Sequence, residues 1–115
     1  MHSRARKLLE DIRSAAEFVR AATQGISLDA FKGNQLLRQA AERNFEIMGE
    51  AVRRLEKVEP ATAARIANYR QIIAFRNVLI HGYDTIDPAI VWSAIADDLS
   101  QLLRDVTALL TGQAS

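Results

Sequence analysis

The stretch from Gln35 to Lys57, QLLRQAAERNFEIMGEAVRRLEK, decides the fold. Leu37, Ala40, Ala41, Ile47, Met48, Ala51, Val52 and Leu55 recur at three- and four-residue spacing, the signature of one buried face on a long helix. Strand-type alternation is absent here and elsewhere in the chain. Asn34 precedes the stretch and is placed to cap it. Asn44 falls inside the apolar stripe. A buried amide needs a hydrogen bond, which a facing helix or backbone would supply; a second reading is that it orients a site residue. Glu46 and Glu50 lie one turn apart, with Arg43 and Arg53 three residues from one or the other. Paired carboxylates can do acid–base chemistry. On an arginine-flanked helix they are more often ion-pair partners.

Working outward, an earlier helix is predicted over 4–23, with Leu8, Ile12, Ala15, Ala16 and Val19 on one face and Gly25 to end it. Ser27 to Phe31 reads as one short helical turn, and Gly33-Asn34 as a break. Downstream, Pro60 interrupts the chain. Residues 61–67 start another helix, and a helical pattern continues over 68–81 with Ile72, Ile73, Phe75, Leu79 and Ile80 on its apolar side. Gly82 is placed to terminate it at the position after the cap. The last helix has an entrance in Asp87-Pro88, a cap followed by a proline whose missing N–H costs nothing there. Val91, Ile95, Leu99, Leu102, Val106 and Leu109 carry it to about Thr111, and 113–115 are expected to fray. The expected fold class is all-α: an up-and-down antiparallel bundle of about four main helices plus short helical turns.

The chain has 115 residues, a length that fits one domain over 1–115. It is 49% hydrophobic and 25% charged, a globular composition and not a disordered one. There is no cysteine, which excludes disulfides, thiolate metal sites and cysteine nucleophiles. No apolar run approaches the ~20 residues needed to span a bilayer. The basic start is followed by Glu10, Asp11 and Arg13 rather than a signal-type apolar segment. A cytoplasmic protein with no membrane contact is expected. The net charge of +1 gives no global pull toward nucleic acid, so RNA binding would have to come from a local basic surface.

Chemistry concentrates at Arg76, Asn77, His81 and Tyr83. His2, at the N-terminus, is expected to have no structural role. His81 stands at a helix C-terminus, where the backbone dipole favours imidazolium, and a cation beside an arginine suits a phosphate. Asn77 and His81 share a helix face, whereas Arg76 and His81 are about 140° apart on a straight helix. One chain alone would not focus both on one phosphate; two chains about a twofold axis could. On the residues alone a structural reading stands level with the chemical one: Arg76 could pair with Glu46 or Glu50, and His81 could cap carbonyls. Asp97-Asp98 is a poor metal pair, since adjacent helical residues point about 100° apart. Trp92 and Phe45 read as packing residues.

Three blocks carry a family resemblance. Arg76-Asn77-Val78-Leu79-Ile80-His81-Gly82-Tyr83 resembles the R-x4-H-x-Y motif of HepT-like HEPN proteins. Arg43-Asn44-Phe45-Glu46-Ile47-Met48-Gly49-Glu50-Ala51 resembles the block on that family's preceding long helix. Asp87-Pro88-Ala89-Ile90-Val91-Trp92 resembles its last-helix entrance. The blocks occur in family order across roughly residues 7–110. Gly82 stands where an acidic residue is common, and Asn68-Tyr69 where Pro-Trp is common.

The resemblance implies a HEPN bundle, a homodimer and a metal-independent endoribonuclease toxin that needs no cofactor. Arg76 and His81 would be catalytic, and Asn77 would support them by orienting His81 or the phosphate. It implies an RNA substrate and a second partner, a minimal nucleotidyltransferase antitoxin that transfers AMP to Tyr83. The added charge and bulk would block a cationic site. The alternative is a non-catalytic helical partner of a nucleotidyltransferase, in which the motif stabilises that complex or the dimer.

Overall fold

A computed structural model describes residues 1–112. Its elements are helices α1 (Ser3–Thr23), α2 (Leu28–Lys32), α3 (Gln35–Val58), α4 (Pro60–Ala63), α5 (Tyr69–His81), α6 (Pro88–Ser93) and α7 (Leu99–Thr111), with a π-helical segment at Ala94–Asp98 joining the last two. Among the described residues there is no strand, and the all-α expectation holds. The expected fraying of 113–115 lies outside the described residues.

The long helices pack in the order α7, α1, α3, α5. α1, α3 and α7 bury the faces that their periodicity predicts, whereas Ile80, expected on the apolar side of α5, is exposed. Leu9, Ile12, Ala16 and Val19 of α1 meet Met48, Val52 and Leu55 of α3, with Leu102, Val106 and Leu109 of α7 closing the other side. Full burial of each large aliphatic side chain contributes about 1.5–3 kcal/mol. Phe31 of α2 is completely buried and stacks against Trp92 at 5.2 Å between ring centres. Phe45 meets Phe75 edge-on at 5.4 Å. The packing reading of Phe45 and Trp92 is therefore the observed one. No helix among the described residues is long and apolar enough to cross a membrane.

Capping follows the sequence closely. Asn34 Oδ1 accepts from the Leu37 N–H at 3.0 Å, and Asp87 Oδ1 accepts from the Ala89 N–H at 2.9 Å. Gly25 takes φ +75° just past α1, a conformation that costs glycine little. Three expectations need correction. His2 is structural: its Nδ1 accepts from the Arg4 N–H at 3.1 Å, and its own N–H donates to Glu59 Oε2 at 3.0 Å. Gly82 does end α5, but as the cap itself, at φ −109°, rather than one position past it. The helical pattern also does not run on from residue 61 to 81. Asn68 adopts φ 59°, a left-handed conformation that asparagine tolerates, and breaks the path before α5. The Asp105 carboxylate of α7 accepts from the Ala67 N–H at 2.9 Å and ties this break down.

The last helix carries an insertion that periodicity concealed. Val91, Ile95 and Leu99 are spaced four and four. In a straight α-helix eight residues overshoot two turns by about 80°. The wider π turn, with the Leu99 N–H reaching the Ala94 carbonyl, absorbs that drift. Val91 and Leu99 both stay buried, and Ile95 packs against the core.

α5 lies at the edge of the row. Only Leu79 is fully buried among its apolar residues; Ile72, Ile73 and Phe75 are half-buried. Val78 is 56% exposed and Ile80 37%. The helix thus packs one face on α3 and leaves another, partly apolar, uncovered by its own chain.

Candidate active site

What places Arg76 is a missing side chain on α3. A Cβ built on Gly49 would stand 2.3 Å from Arg76 Cβ and 3.1 Å from the Ile72 carbonyl oxygen. Glycine alone lets α5 approach this closely, because any β-carbon would occupy the space taken by the Arg76 stem. Arg76 is therefore pressed along α3, with its side chain 26% exposed.

Its guanidinium has two neighbours. Nη1 donates to Asn77 Oδ1 at 2.9 Å. Nη2 lies 3.4 Å from Glu50 Oε1, an ion-pair distance without hydrogen-bond geometry. Glu50 Oε1 and Arg76 Nε are consequently buried without a hydrogen-bond partner among the described residues. Of the two carboxylates open to Arg76 in the sequence, Glu50 is the one that meets it. Glu46 instead faces Arg43, Nη1 to Oε1 3.5 Å.

Glu50 also engages its own helix. Its Oε2 accepts from Arg54 Nε at 2.8 Å and lies 3.6 Å from Arg53 Nη1. The Arg54 hydrogen bond holds the Glu50 carboxyl below the usual carboxylate range. Partial burial pushes the other way, and the charges of Arg76, Arg53 and Arg54 add to the lowering. Glu50, Arg54 and Arg76 line a cleft of about 230 Å³ whose walls include Asp11, Ile47, Ala51 and Ile80. It is a mixed-charge cleft with an arginine at its side. A second cavity, about 500 Å³, runs between α5 and the bent last helix, bounded by Gln71, Phe75, Ile90 and Asp97. Neither Arg76 nor His81 lines it.

The remaining motif residues lie elsewhere on α5. His81 ends the helix and is exposed. Asn77 is exposed too, and its amide oxygen serves Arg76 rather than His81. Tyr83 follows the helix end and is 79% exposed, so its hydroxyl is accessible. The structure thus brings Arg76, Asn77 and Glu50 together and leaves His81 outside the cleft that Arg76 lines. Asn44, the other amide singled out by pattern, is half-buried and donates to the Ala40 carbonyl of its own helix at 2.8 Å. That is a local bond, neither to a facing helix nor to a site residue. Asp97 and Asp98 are both exposed. Among the described residues, no three His, Cys, Asp or Glu side chains are grouped to hold a metal ion.

Sequence reasoning missed two contributors. Gly49 was visible as a glycine inside a helix, itself a sign of close approach. Arg54 was visible as the residue four after Glu50, the spacing of a helical ion pair.

Along most of its length the chain is similar to known proteins. The model of the ribonuclease HepT-like family matches residues 12–109. A protein of Caldanaerobacter subterraneus subsp. tengcongensis named "Putative RNase" is 31% identical over 105 residues, covering 91% of this chain and 93% of that protein. A "Putative RNase" of Methanocaldococcus jannaschii is 30% identical over 98 residues, covering 85% and 89%. A "Probable ribonuclease HepT" of Thermococcus cleftensis is 29% identical over 94 residues, covering 82% and 84%. No solved structure matches the chain. The matched span takes in α3, α5 and most of the last helix, and with them every residue of the Arg76 cleft except Asp11, so the chain belongs to the HepT-like ribonuclease family.

Proposed function

We propose that this protein is an endoribonuclease toxin that cuts RNA without a metal, at a composite site in a homodimer, and is silenced by AMP transfer to Tyr83. The observation that carries the reading is the split on α5: Arg76 lines a cleft against α3, while His81 stands exposed at the helix end. A single copy does not direct both groups at one phosphate. A twofold partner packed on the uncovered face of α5, where Val78 and Ile80 are exposed, brings a second motif alongside the first.

In the proposed reaction the ribose 2′-oxygen attacks the adjacent phosphorus while His81 takes its proton. The bond to the 5′-oxygen breaks, and a protonated imidazole returns a proton to that leaving group. The products are a 2′,3′-cyclic phosphate and a 5′-hydroxyl. Arg76 holds the phosphate and stabilises the charge that builds on its oxygens in the transition state. Asn77, bonded to Arg76, restricts the guanidinium plane. Tyr83 lies two residues past His81 and is open to a minimal nucleotidyltransferase. AMP on its hydroxyl adds negative charge and bulk where the RNA phosphate must sit.

The test is cleavage of cellular RNA in EDTA by protein whose Tyr83 is shown bare by mass spectrometry, run beside His81→Ala. Cleavage by the parent alone is expected, with cyclic-phosphate ends. Cleavage that needs added magnesium refutes the metal-free step. No cleavage by folded, bare protein returns the chain to the non-catalytic alternative, a helical partner of a nucleotidyltransferase. Mixing Arg76→Ala and His81→Ala chains tests the composite site. If each site takes its arginine from one copy and its histidine from the other, random exchange restores roughly a quarter of parental sites. If both groups act within one copy, the mixture stays inactive.

A further inference from the structure

We propose that Glu50 is a positioning residue for Arg76: its carboxylate fixes the guanidinium in the cleft, and its loss slows RNA cleavage without weakening RNA binding. The inference rests on the ribonuclease reading above and adds to it a residue outside the R-x4-H-x-Y motif.

An arginine side chain is long, and its donors are useful only if its plane is held. Here the hold is double. Asn77 takes Nη1 from the side of α5, and Glu50 faces Nη2 from the side of α3. Gly49 brings the two helices close enough for the second hold to exist. Glu50 is itself braced, because Arg54 occupies its other oxygen at 2.8 Å and Arg53 stands 3.6 Å away. The order of restraint runs from Arg54 to Glu50 to Arg76. A guanidinium carries five N–H donors. Nε is buried, so the two neighbours leave one hydrogen on each of Nη1 and Nη2 for a phosphate.

Charge gives the inference a sign. A carboxylate beside a phosphate site repels the phosphate, so it does not act there as a binding group. Nor is it a strong source of stability, since partly buried ion pairs gain little beyond their desolvation cost. Anchoring Arg76 accounts for a negative group in this place. Removing the charge relieves repulsion and frees the guanidinium together. RNA binding then holds or tightens while the chemical step slows.

The experiment is steady-state cleavage of a defined RNA oligonucleotide by the full chain, comparing the parent with Glu50→Gln, Glu50→Asp, Arg76→Ala, the Glu50→Gln/Arg76→Ala double variant and His81→Ala. Glu50→Gln is expected to lower kcat by about 10²-fold, the scale of a misplacement near 1 Å, with KM unchanged or lower. Glu50→Asp recovers part of that loss. In the Arg76→Ala background Glu50→Gln costs nothing further, because the residue it positions is gone. Thermal unfolding confirms that each chain folds. If Glu50→Gln does not fold, Arg54→Gln carries the test, since it unbraces Glu50 without touching Arg76 and lowers kcat in the same direction. Parental kcat in Glu50→Gln overturns the proposal, as does a full additional loss in the Arg76→Ala background. So does a raised KM with kcat intact, which would make Glu50 an RNA contact. Those results leave the ribonuclease reading standing wherever the parent cuts and His81→Ala does not. A folded parent that cuts no RNA overturns both.

Discussion

Gly49→Ala tests the joint on which the site depends. A Cβ at residue 49 would lie 2.3 Å from Arg76 Cβ. Two carbons need about 3.5–4.0 Å, so α3 and α5 must part by at least about 1.2 Å at this level. The obstacles are a Cβ, fixed to its backbone, and the Ile72 carbonyl at 3.1 Å, so no flexible side-chain end can swing aside. Overpacking of this kind costs about 1–3 kcal/mol, and backbone-fixed contacts place this one near the top. Alanine returns about 1 kcal/mol through helix propensity. The net loss is about 2 kcal/mol, which for a chain of this size lowers Tm by about 8 °C. Displacing α5 also moves Arg76 away from Glu50, so cleavage should fall by more than the folded fraction does.

The assay is thermal unfolding followed by circular dichroism, with Gly33→Ala as the control. Gly33 has φ −81°, and a Cβ there would come no closer than 3.5 Å to any atom, the Asp29 oxygen. The same chemical change should leave stability equal or slightly raised at that position. A Gly49→Ala chain whose Tm matches or exceeds the parent would refute the close-approach argument, because only propensity would then remain.

Other expectations concern acid, caps and core. Glu50 and Glu59 are both held below the usual carboxylate range, Glu50 chiefly by Arg54 and Glu59 by the Thr62 hydroxyl and the His2 N–H. A depressed folded-state pKa gives stability that is full above the unfolded value, about 4.3, and is lost as pH falls through the folded one. Thermal stability should drop from about pH 5 toward pH 3, with Glu50→Gln flattening part of the slope. Glu42, pushed up by burial, opposes that trend; an unchanged slope in Glu50→Gln would count against the pairing. Asn34→Ala removes the cap on α3 and should cost about 1 kcal/mol by urea unfolding. Leu55→Ala, at a fully buried site, should cost about 2–5 kcal/mol, and a loss under half a unit would mean the pocket collapses freely. Tyr83→Phe should leave Tm unchanged, since the ring is 79% exposed, while abolishing any AMP adduct in the mass spectrum.

Much of the fold was legible because burial on a helix is periodic. The faces of α1 and α3 read correctly from Leu8, Ile12 and Val19 and from Met48, Val52 and Leu55, since a long stripe averages over local exceptions. The caps Asn34 and Asp87 read correctly because a short side chain next to a helix start has few other uses. What failed was local. Asn68 breaks the chain by adopting φ 59°, a choice open to asparagine but not demanded of it. The π turn at Ala94–Asp98 left the four-residue spacing looking like ordinary helix, because the insertion restores the phase that the spacing would otherwise lose. His2 caps α1 by accepting from the Arg4 N–H, while its own N–H reaches Glu59, 57 positions away, a contact that no local pattern carries.

The site divides along the same line. Arg76, Asn77, His81 and Tyr83 could be picked out as candidates, because their types and spacing are local. Which carboxylate meets Arg76 could not. Glu46 and Glu50 sit one turn apart on the same helix and are equivalent by type, charge and distance from an arginine on their own chain. Periodicity gives each residue an angle around its helix but says little about height against a neighbour. That height is fixed by Gly49, the one place on α3 where the Arg76 stem can press against the helix backbone. The crossing point then lies at residue 49. The next residue reaches the guanidinium, and the carboxylate one turn earlier turns to Arg43 instead. The glycine thus selects the partner, and a side chain there would part the two helices and draw the arginine away from Glu50.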